Sequence, residues 1–289
     1  MKLDGPIWKN LQEDLLPKDL DPDARTTALQ ELRNIPEYFY SSTNLPIVTP
    51  DNVDRFMALV HKGRVLFISL FSGSARLALT AVANDEFVLP PIDLRYGWDL
   101  QVEKHRRQVS LLILHFDPEH VCAEPRCKYW SKAGCRRDPA KTELMRSQEF
   151  PMLTWLQRLC MRTVRNQRDV LLENPKDSAL WTKSPLERLQ SVDSFEQHSK
   201  NTSQCAFSPE PDGQRSAKAT KLKASFPVPR STKKCVCTKG HIVLQGYDKE
   251  THKSPCEAAA LFSHRFCRAL CDDMIANSIA KRKKKNHLS

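Results

Sequence analysis

The feature that most constrains this chain is a series of short apolar runs that alternate with segments of helical spacing. The apolar runs cover residues 64–71, 87–90, 120–123 and 169–172. Runs of this length that are rich in Val, Leu, Ile and Phe are typical of strands buried on both faces of a parallel sheet. Strands that alternate with helices predict an α/β fold, in which helices flank a mostly parallel sheet.

Helical spacing fills the intervals between these strands. The segments 76–83, 102–116 and 143–166 carry apolar residues at helical intervals and predict the connecting helices. A further helix is predicted to start at Thr49-Pro50-Asp51, because a capping residue followed by proline is common in a first turn. Ligands of such sheets bind beyond the carboxyl ends of the strands, so we expect a site in the loops that follow the strands.

Composition divides the chain into four predicted regions. Residues 1–60 are predicted to form a helical N-terminal extension, and residues 61–190 the α/β domain. Residues 191–234 are rich in Ser, Lys, Gln and Pro, which predicts a flexible basic linker. Residues 235–289 are predicted to form a small irregular lobe with several cysteines, a C-terminal helix and a basic tail.

The charge of the chain is strongly basic and unevenly distributed. The formal net charge is +11, yet residues 1–60 contain six basic and ten acidic side chains, so the basic excess belongs to later segments. An excess of this size favours an anionic partner, and nucleic acid is the partner that we expect. The tail Lys281–Lys285 is a compact basic run, typical of a nuclear localisation signal or of a nucleic-acid contact.

The sequence predicts an intracellular protein that does not enter a membrane. No apolar run reaches the roughly 18 residues of a membrane-spanning helix. The first residues, Met1–Pro6, lack the apolar core of a secretory signal peptide. In an intracellular compartment, we expect the ten cysteines to be thiols or metal ligands rather than disulfides.

A turn of small residues, Ser72-Gly73-Ser74, separates the first predicted strand from the helix after it. Such a turn lets backbone amides approach a ligand at the start of a helix. Asp93 follows Gly73 by twenty residues at the end of the second strand, where a carboxylate can accept hydrogen bonds from ribose hydroxyls. Asp99 is a further carboxylate nearby, and Trp98 offers a ring for stacking. The turn alone is common in α/β proteins, and its combination with Asp93 is more specific.

A cysteine and a glutamate follow the next two strands. Cys127 lies in the loop after the third strand, between Arg126 and Lys128. Positive neighbours favour the thiolate, which is the nucleophilic form of cysteine. Glu173 ends the fourth strand. In the predicted strand order Cys127 and Glu173 face one cleft, and a nucleophile paired with a carboxylate suits the activation of a heteroaromatic base.

Three of these segments resemble the motifs of one enzyme family. Residues 70–75 resemble the cofactor loop of cytosine-5 DNA methyltransferases. Pro125-Arg126-Cys127 with Trp130-Ser131 resembles their Pro-Cys nucleophile loop, and Glu173-Asn174-Pro175 resembles their Glu-Asn-Val motif. Order and approximate spacing agree over about residues 64–189. The longer string is also similar to methyltransferase-like segments of dinoflagellate genomes, often found within retroelement polyproteins.

The resemblance implies a Rossmann-like methyltransferase fold, S-adenosylmethionine as the cofactor, and DNA rather than RNA as the substrate. It implies that Cys127 adds to C6 of a cytosine flipped out of the duplex and that Glu173 contacts N3 of that base. It also implies four cofactor-binding residues, namely Phe71, Gly73, Asp93 and Asp99.

The chain departs from the family pattern at several points. Ala75 stands where the family usually has a second glycine, and Arg126 where a second proline is common. The Gln-x-Arg-x-Arg element that supports the nucleophile loop has no counterpart beyond Lys218-Ala219-Thr220-Lys221, and residues 190–255 are short for a target-recognition domain. Two functions are therefore open: an active methyltransferase, and a nucleic-acid-binding or retroelement-derived accessory module that has lost catalysis.

Cysteines near the C-terminus indicate a third possible function. Cys235, Cys237, His241 and Cys256 could supply four zinc ligands, which would make the chain a zinc-stabilised interaction protein. Structural zinc sites use Cys-x2-Cys pairs more often than the Cys-x-Cys spacing present here. Our interpretation of the sequence therefore assigns no metal ligands.

Overall fold

A computed structural model describes residues 48–60, 63–131, 138–207, 215–216, 218–237, 241–242 and 262–286. The helices are α1 (Val53–Leu59), α2 (Arg76–Val82), α3 (Glu103–Phe116), α4 (Pro139–Arg165), α5 (Leu180–Lys183), α6 (Asp193–His198) and α7 (His264–Asn286). The strands are β1 (Phe67–Leu70), β2 (His120–Ala123), β3 (Asp169–Pro175), β4 (Lys200–Ser203), β5 (Arg215–Ser216), β6 (Ala219–Ala224) and β7 (His241–Ile242). Short 3₁₀ helices cover Leu94–Tyr96, Pro185–Ser191 and Gln204–Phe207.

A sheet of five strands, in the order β1-β2-β3-β6-β4, forms the centre of the structure. β1, β2 and β3 pair in parallel, with Phe67 opposite His120 and His120 opposite Asp169. β6 is antiparallel to its neighbours β3 and β4, so the other four strands of this sheet share one direction. The prediction of an α/β fold with a mostly parallel sheet and flanking helices is confirmed.

The second predicted strand lies along the outer side of β1. The Leu66 amide donates to the Phe87 carbonyl at 2.8 Å, and Leu70 forms an isolated parallel bridge with Ile92. The Pro90-Pro91 pair lacks the N–H donors that a regular ladder needs. This segment therefore extends the sheet beyond β1 without forming a full strand.

Helices cover both faces of the sheet. On one face α2 and α7 pack, and Leu77 and Leu270 share a core with Phe67. On the other face α3 and α4 pack, and Leu112 and Leu156 belong to a second core. The chain thus leaves β1 along one face through α2 and reaches β2 and β3 along the other. When the connections of two neighbouring strands lie on opposite faces of a sheet, a crevice opens between the carboxyl ends of those strands. In this sheet the two strands are β1 and β2.

The helix ends follow capping rules. α4 begins at Pro139, four residues earlier than predicted, because Asp138 caps it. The Asp138 side chain accepts from the Ala140 amide at 2.9 Å, and proline is well placed in a first helical turn. α1 lies near its predicted start, and its buried residues Val53 and Phe56 join the core of the α3 face. Residues 1–47 of the predicted helical extension lie outside the described residues.

The predicted linker at residues 191–234 is wrong for the part that the structure describes. That stretch contains β4 and β6, and β6 lies inside the main sheet between β3 and β4. Leu222 and Lys223 of β6 are fully buried. A lysine-rich and serine-rich sequence is typical of a linker, but here pairing with β3 supplies the stability that local propensity lacks.

The predicted separate lobe at residues 235–289 also needs correction. α7 packs against α2 and places Phe266, Leu270 and Met274 in the core of that sheet face. The described C-terminal helix is therefore part of the α/β unit. Lys281 of the basic tail lies 2.6 Å from Asp169, while Lys283–Lys285 are exposed. None of the helices in the described ranges combines the length and the apolar character of a membrane span.

Candidate active site

The loop after β1 has an unusual backbone. Phe71, Gly73 and Ala75 have positive φ angles of 57°, 52° and 53°. The other described non-glycine residues with positive φ lie just after helices, where a left-handed residue is common. A non-glycine residue in this region is strained by about 1 to 2 kcal/mol, and such strain is typical of ligand-binding loops. A Cβ atom at Gly73 would meet no atom of the described residues within 4 Å, so these residues leave open space beside it.

Asp93 holds this loop in place. Its Oδ2 accepts from the Gly73 amide at 3.0 Å, and its Oδ1 accepts from the Arg95 amide at 3.0 Å. The Tyr96 hydroxyl donates to the Gly73 carbonyl at 3.2 Å. The structure thus brings together Gly73 and Asp93, which the sequence predicts as cofactor-binding residues. Each carboxylate oxygen can accept a second hydrogen bond, so Asp93 retains acceptor capacity for a ligand.

Asp99 and Trp98 have partners within the protein. Asp99 Oδ1 accepts from the Gln101 amide at 2.8 Å, and the Asp99 amide donates to His105 Nδ1 at 3.0 Å, so Asp99 shapes the entry into α3. A cofactor role for Asp99 stays a prediction. Trp98 is buried, and its Nε1 donates to the Val48 carbonyl at 2.8 Å. The expectation that Trp98 stacks on a ligand is wrong, because the core encloses its ring.

Cys127 lies half-buried in a tight turn after β2. Its carbonyl accepts from the amides of Trp130 and Ser131 at 3.0 and 2.9 Å. The Trp130 indole donates to buried Glu149 at 2.5 Å, and the Arg146 guanidinium lies 5.2 Å from the centre of its ring. Since Glu149 and Arg146 belong to α4, this helix supports the Cys127 loop through Trp130.

The end of β3 supplies a carboxylate and an amide. Buried Glu173 accepts from the Thr220 hydroxyl at 3.2 Å, and its Oε1 lies 3.4 Å from the Lys218 ammonium. Asn174 Nδ2 donates to the Pro125 carbonyl of the Cys127 loop at 2.6 Å. The structure therefore places the Cys127 loop and the Glu173 strand end side by side. Lys218 and Thr220 belong to residues 218–221, the stretch that the sequence analysis compares with the family's Gln-x-Arg-x-Arg element.

Glu124, which sequence reasoning missed, is another carboxyl group at this cleft. It follows β2 directly and is half-buried, and its amide donates to the Leu70 carbonyl at 3.1 Å. Desolvation, with the nearby carboxylates of Glu173 and Asp93, raises the pKa of Glu124 well above its ordinary value, and Lys218 opposes them. Burial and these neighbouring carboxylates therefore favour the protonated form of Glu124. Its position between a buried strand and a proline was the sequence signal that could have identified it.

Exposed basic side chains follow the strand ends that form this acidic cleft. Arg126 and Lys128 flank Cys127, and Lys176 and Lys183 follow β3. The interior holds the carboxyl groups described above, whereas the rim carries positive charge. An acidic interior suits a cationic or hydroxyl-rich ligand, and a basic rim suits the phosphates of a nucleic acid.

The predicted zinc ligands come together in part. Cys235, Cys237 and His241 lie with Cys205 in one group, whose ligand atoms are all within 4.8 Å of one another. Cys256 lies outside the described residues. Burial and the neighbouring thiols of Cys235 and Cys237 raise the pKa of Cys205 to about 12. Sequence reasoning missed Cys205 because it lies 30 residues before Cys235, in the segment predicted to be a linker.

No family model, curated protein or solved structure matches the chain. The function must therefore be inferred from the site itself. That site combines a half-buried thiol in a hydrogen-bonded loop, a carboxyl group of raised pKa, an ion-paired carboxylate and a turn of positive φ beside open space. Such a set can bind a polar ligand and direct a nucleophile at a second molecule.

Proposed function

We propose that the chain has a Rossmann-like methyltransferase fold, binds S-adenosylmethionine at the carboxyl ends of β1 and β2, and methylates C5 of cytosine in DNA. The observation that carries this proposal is the meeting of three loops at one cleft. The Gly73 amide bonds to Asp93, and Asn174 next to Glu173 bonds to the loop of Cys127. These are the segments whose sequences resemble cytosine-5 methyltransferase motifs.

The cleft has the chemical character that S-adenosylmethionine requires. The cofactor carries ribose hydroxyls, an ammonium group and a sulfonium centre, all of which favour carboxylate neighbours. Asp93 and the positive-φ turn at Gly73 lie beside open space. The Ser72 hydroxyl in the same turn is buried with no hydrogen-bond partner among the described residues. Phe71, Gly73 and Asp93 would hold the cofactor, which supplies an electrophilic methyl group when bound.

The remaining residues fit the roles that the resemblance implies. The Cys127 thiolate adds to C6 of cytosine, which makes C5 nucleophilic toward the methyl group, and loss of the C5 proton then releases the thiolate. Glu173 contacts N3 of the base and is oriented by Lys218 and Thr220. The raised pKa of Glu124 favours its protonated form, which can donate a hydrogen bond beside Glu173.

The basic rim supports DNA as the partner, and the exposed residues Lys283–Lys285 fit a nuclear signal or a phosphate contact. Replacing Lys176 and Lys183 by glutamine should weaken DNA binding and lower the slope of log affinity against log salt by about 1 per residue. Titrations of duplex DNA and RNA at several salt concentrations measure this. Equal affinity for RNA would contradict the preference for DNA.

Cofactor binding is tested first by calorimetric titration with S-adenosylmethionine and S-adenosylhomocysteine. We expect saturable binding that weakens at least about tenfold in Asp93→Ala, because one carboxylate both shapes the turn and accepts ligand hydrogen bonds. Exposed Asp51 offers a matched control, and Asp51→Ala should bind like the wild type. Absence of binding to a wild-type chain that circular dichroism shows to be folded would overturn the proposal.

Catalysis is tested by transfer of a labelled methyl group to DNA. Cys127→Ser should reduce transfer to background while leaving cofactor and DNA binding intact, since it removes the nucleophile alone. Cys160→Ala, which changes a cysteine buried on α4, is the matched control and should remain active. Cofactor binding without any transfer in the wild type would favour the accessory module that has lost catalysis.

A further inference from the structure

We propose that Cys205, Cys235, Cys237 and His241 bind one Zn²⁺ ion, which attaches residues 233–237 and His241 to the edge of the sheet. The sequence pairs Cys235, Cys237 and His241 with Cys256. The fold instead brings Cys205 to them. This inference does not depend on whether the cleft is catalytic.

The geometry of the group suits tetrahedral coordination. Its four ligand atoms all lie within 4.8 Å of one another. A Zn–S bond of about 2.3 Å places the sulfurs of a tetrahedral site about 3.8 Å apart, so small shifts would close the group around an ion. Cys205 is buried, whereas Cys235 is exposed, so an ion has access from one side.

Contacts outside the group hold its members together. The Ser203 amide donates to the Lys233 carbonyl at 2.8 Å, two residues before Cys205 and two residues before Cys235. This hydrogen bond sets the two chain segments side by side. His241 lies on β7, which pairs in parallel with β5. These backbone contacts bring the four donor residues together, as a preorganised site requires.

The donor set favours zinc over the alternatives. The Cys235 sulfur accepts from the Cys237 amide at 3.5 Å and lies 3.3 Å from His241 Nε2. Backbone N–H groups that point at a sulfur stabilise the thiolate form, which is the form that binds metal. A disulfide would use two of the three sulfurs and no imidazole. Three thiolates with one imidazole form a closed structural zinc set, whereas magnesium and calcium prefer oxygen ligands.

The cysteine and histidine group is connected to the cleft through two side chains, those of Gln204 and Thr220. Gln204, next to Cys205, donates from Nε2 to the Thr220 hydroxyl oxygen at 3.0 Å. Thr220 in turn donates to Glu173 at 3.2 Å. An ion that holds Cys205 in place therefore also supports the position of Glu173. Zinc binding itself does not require the Glu173 carboxylate.

The test is the zinc content of the full chain, purified under reducing conditions and dialysed, measured by inductively coupled plasma mass spectrometry. We expect about one zinc per chain, retained in Cys256→Ser and lost in Cys205→Ser and Cys237→Ser. Cys256 is the matched control because the sequence alone would choose it as the fourth ligand. Wild-type protein without zinc, or zinc that depends on Cys256 and not on Cys205, would overturn the proposal.

A second measurement avoids variants that fail to fold. X-ray absorption of the zinc-loaded wild type should show three sulfur ligands at about 2.3 Å and one nitrogen ligand at about 2.0 Å. Replacement of zinc by Co²⁺ should give the strong visible bands of a tetrahedral thiolate site. A first shell dominated by oxygen would contradict the assignment, whatever the methyl-transfer assays show.

Discussion

Buried polar side chains lie at both the amino ends and the carboxyl ends of the parallel strands, but their hydrogen bonds are more complete at the amino ends. At the amino ends, Asp169 accepts from Asn277 at 2.7 Å and from Lys281 at 2.6 Å. Asn277 also donates to His120 Nε2 at 3.3 Å, and His120 Nδ1 lies 3.0 Å from the Leu66 carbonyl. Each polar group in this network has a complementary partner, and together they attach α7 to the sheet.

At the carboxyl ends the polar groups are less well satisfied. The carboxylates of Glu173 and Asp93 lie near enough to Glu124 to raise its pKa. The Lys218 ammonium lies 3.4 Å from Glu173. Asn174 Oδ1 is buried without a hydrogen-bond partner among the described residues. Binding sites commonly keep crowded charge that costs stability, because the ligand supplies the missing partners. The comparison teaches that the amino ends hold the fold together, while the carboxyl ends keep the less satisfied polar groups on which the proposed site depends.

A cavity at the amino ends does not alter this assignment. Its lining includes Asp169, His198, Ser225 and Lys281. Asp169 already accepts hydrogen bonds there from several donors, among them Ser225 at 3.4 Å. The cavity therefore offers little unsatisfied charge to a ligand, and sheets of this kind bind ligands at the opposite ends of their strands.

The largest expected effect tests the amino-end network directly. Asp169→Ala should lower the free energy of unfolding by about 3 kcal/mol, because Lys281 and Asn277 would lose their buried acceptor. Urea-induced unfolding at pH 7.5 measures the change. A loss below about 1 kcal/mol would mean that the network contributes little, and the contrast between the two ends would fail.

Glu124→Gln is the matched change at the carboxyl ends. Because the pKa of Glu124 is raised in the folded state, the wild type loses stability as the pH rises above the ordinary value of 4.5. The glutamine variant lacks this loss, so at pH 7.5 it should be as stable as the wild type or more stable. A clear destabilisation would show that Glu124 is a structural residue.

The next effect concerns Lys223, which lies in the middle of the sheet rather than at either end. Its ammonium is buried without a hydrogen-bond partner among the described residues and lies 5.5 Å from the centre of the Trp181 ring. Desolvation and Lys221 lower the pKa of Lys223 to about 8. Lys223→Met should therefore raise the free energy of unfolding at pH 7 by about 1 to 2 kcal/mol.

The pH dependence of Lys223 provides a check on the same explanation. The unfolded chain binds the lysine proton up to the ordinary pKa of 10.5, so the wild type should gain stability as pH rises from about 8 toward 10.5. The methionine variant should show less of this gain. Parallel curves for the two proteins, measured by urea unfolding, would contradict a buried charged lysine.

A smaller effect is expected from His120 at the amino ends. Burial lowers the pKa of His120, although Asp169 opposes the shift, and the neutral ring satisfies Leu66 and Asn277. The unfolded chain then takes up a proton below pH 6.5 that the folded chain excludes. Stability should fall by about 1 kcal/mol between pH 7.5 and 5.5.

Comparison of unfolding curves for His120→Gln and the wild type isolates this contribution from the other histidines. The variant should lose less stability than the wild type over the same pH range. His198→Gln serves as the control, because His198 is less buried. A wild type that gains stability on acidification would show that Asp169 dominates and that His120 is charged in the fold.

The smallest effect is expected at Ala75 in the β1 loop. Glycine would relieve its positive φ of 53°, but would lose a buried methyl group and add entropy to the unfolded chain. These contributions offset one another, so Ala75→Gly should change the free energy of unfolding by less than about 1 kcal/mol. Cofactor affinity measured by calorimetry should be kept or improved. A large loss of affinity would show that the alanine methyl group contacts the ligand.

Local sequence patterns predicted the elements with strong periodicity and the loops between them. β2 has the predicted bounds, and α3 begins within one residue of its prediction. The pairing of Gly73 with Asp93 also follows from sequence, since both residues end neighbouring strands. Long-range partners could not be predicted in the same way. Cys205 and Glu124 acquire their chemical surroundings from segments that are far away in the chain.

The sequence by itself thus determined the α/β alternation and the order of the loops at the candidate site, because periodicity and turn residues act over a few neighbouring positions. Only the tertiary structure decided that β6 lies inside the sheet, that Lys223 is buried, and that Cys205 joins Cys235 and Cys237. The physical reason is that a strand of weak intrinsic propensity obtains its stability from pairing and burial against distant segments.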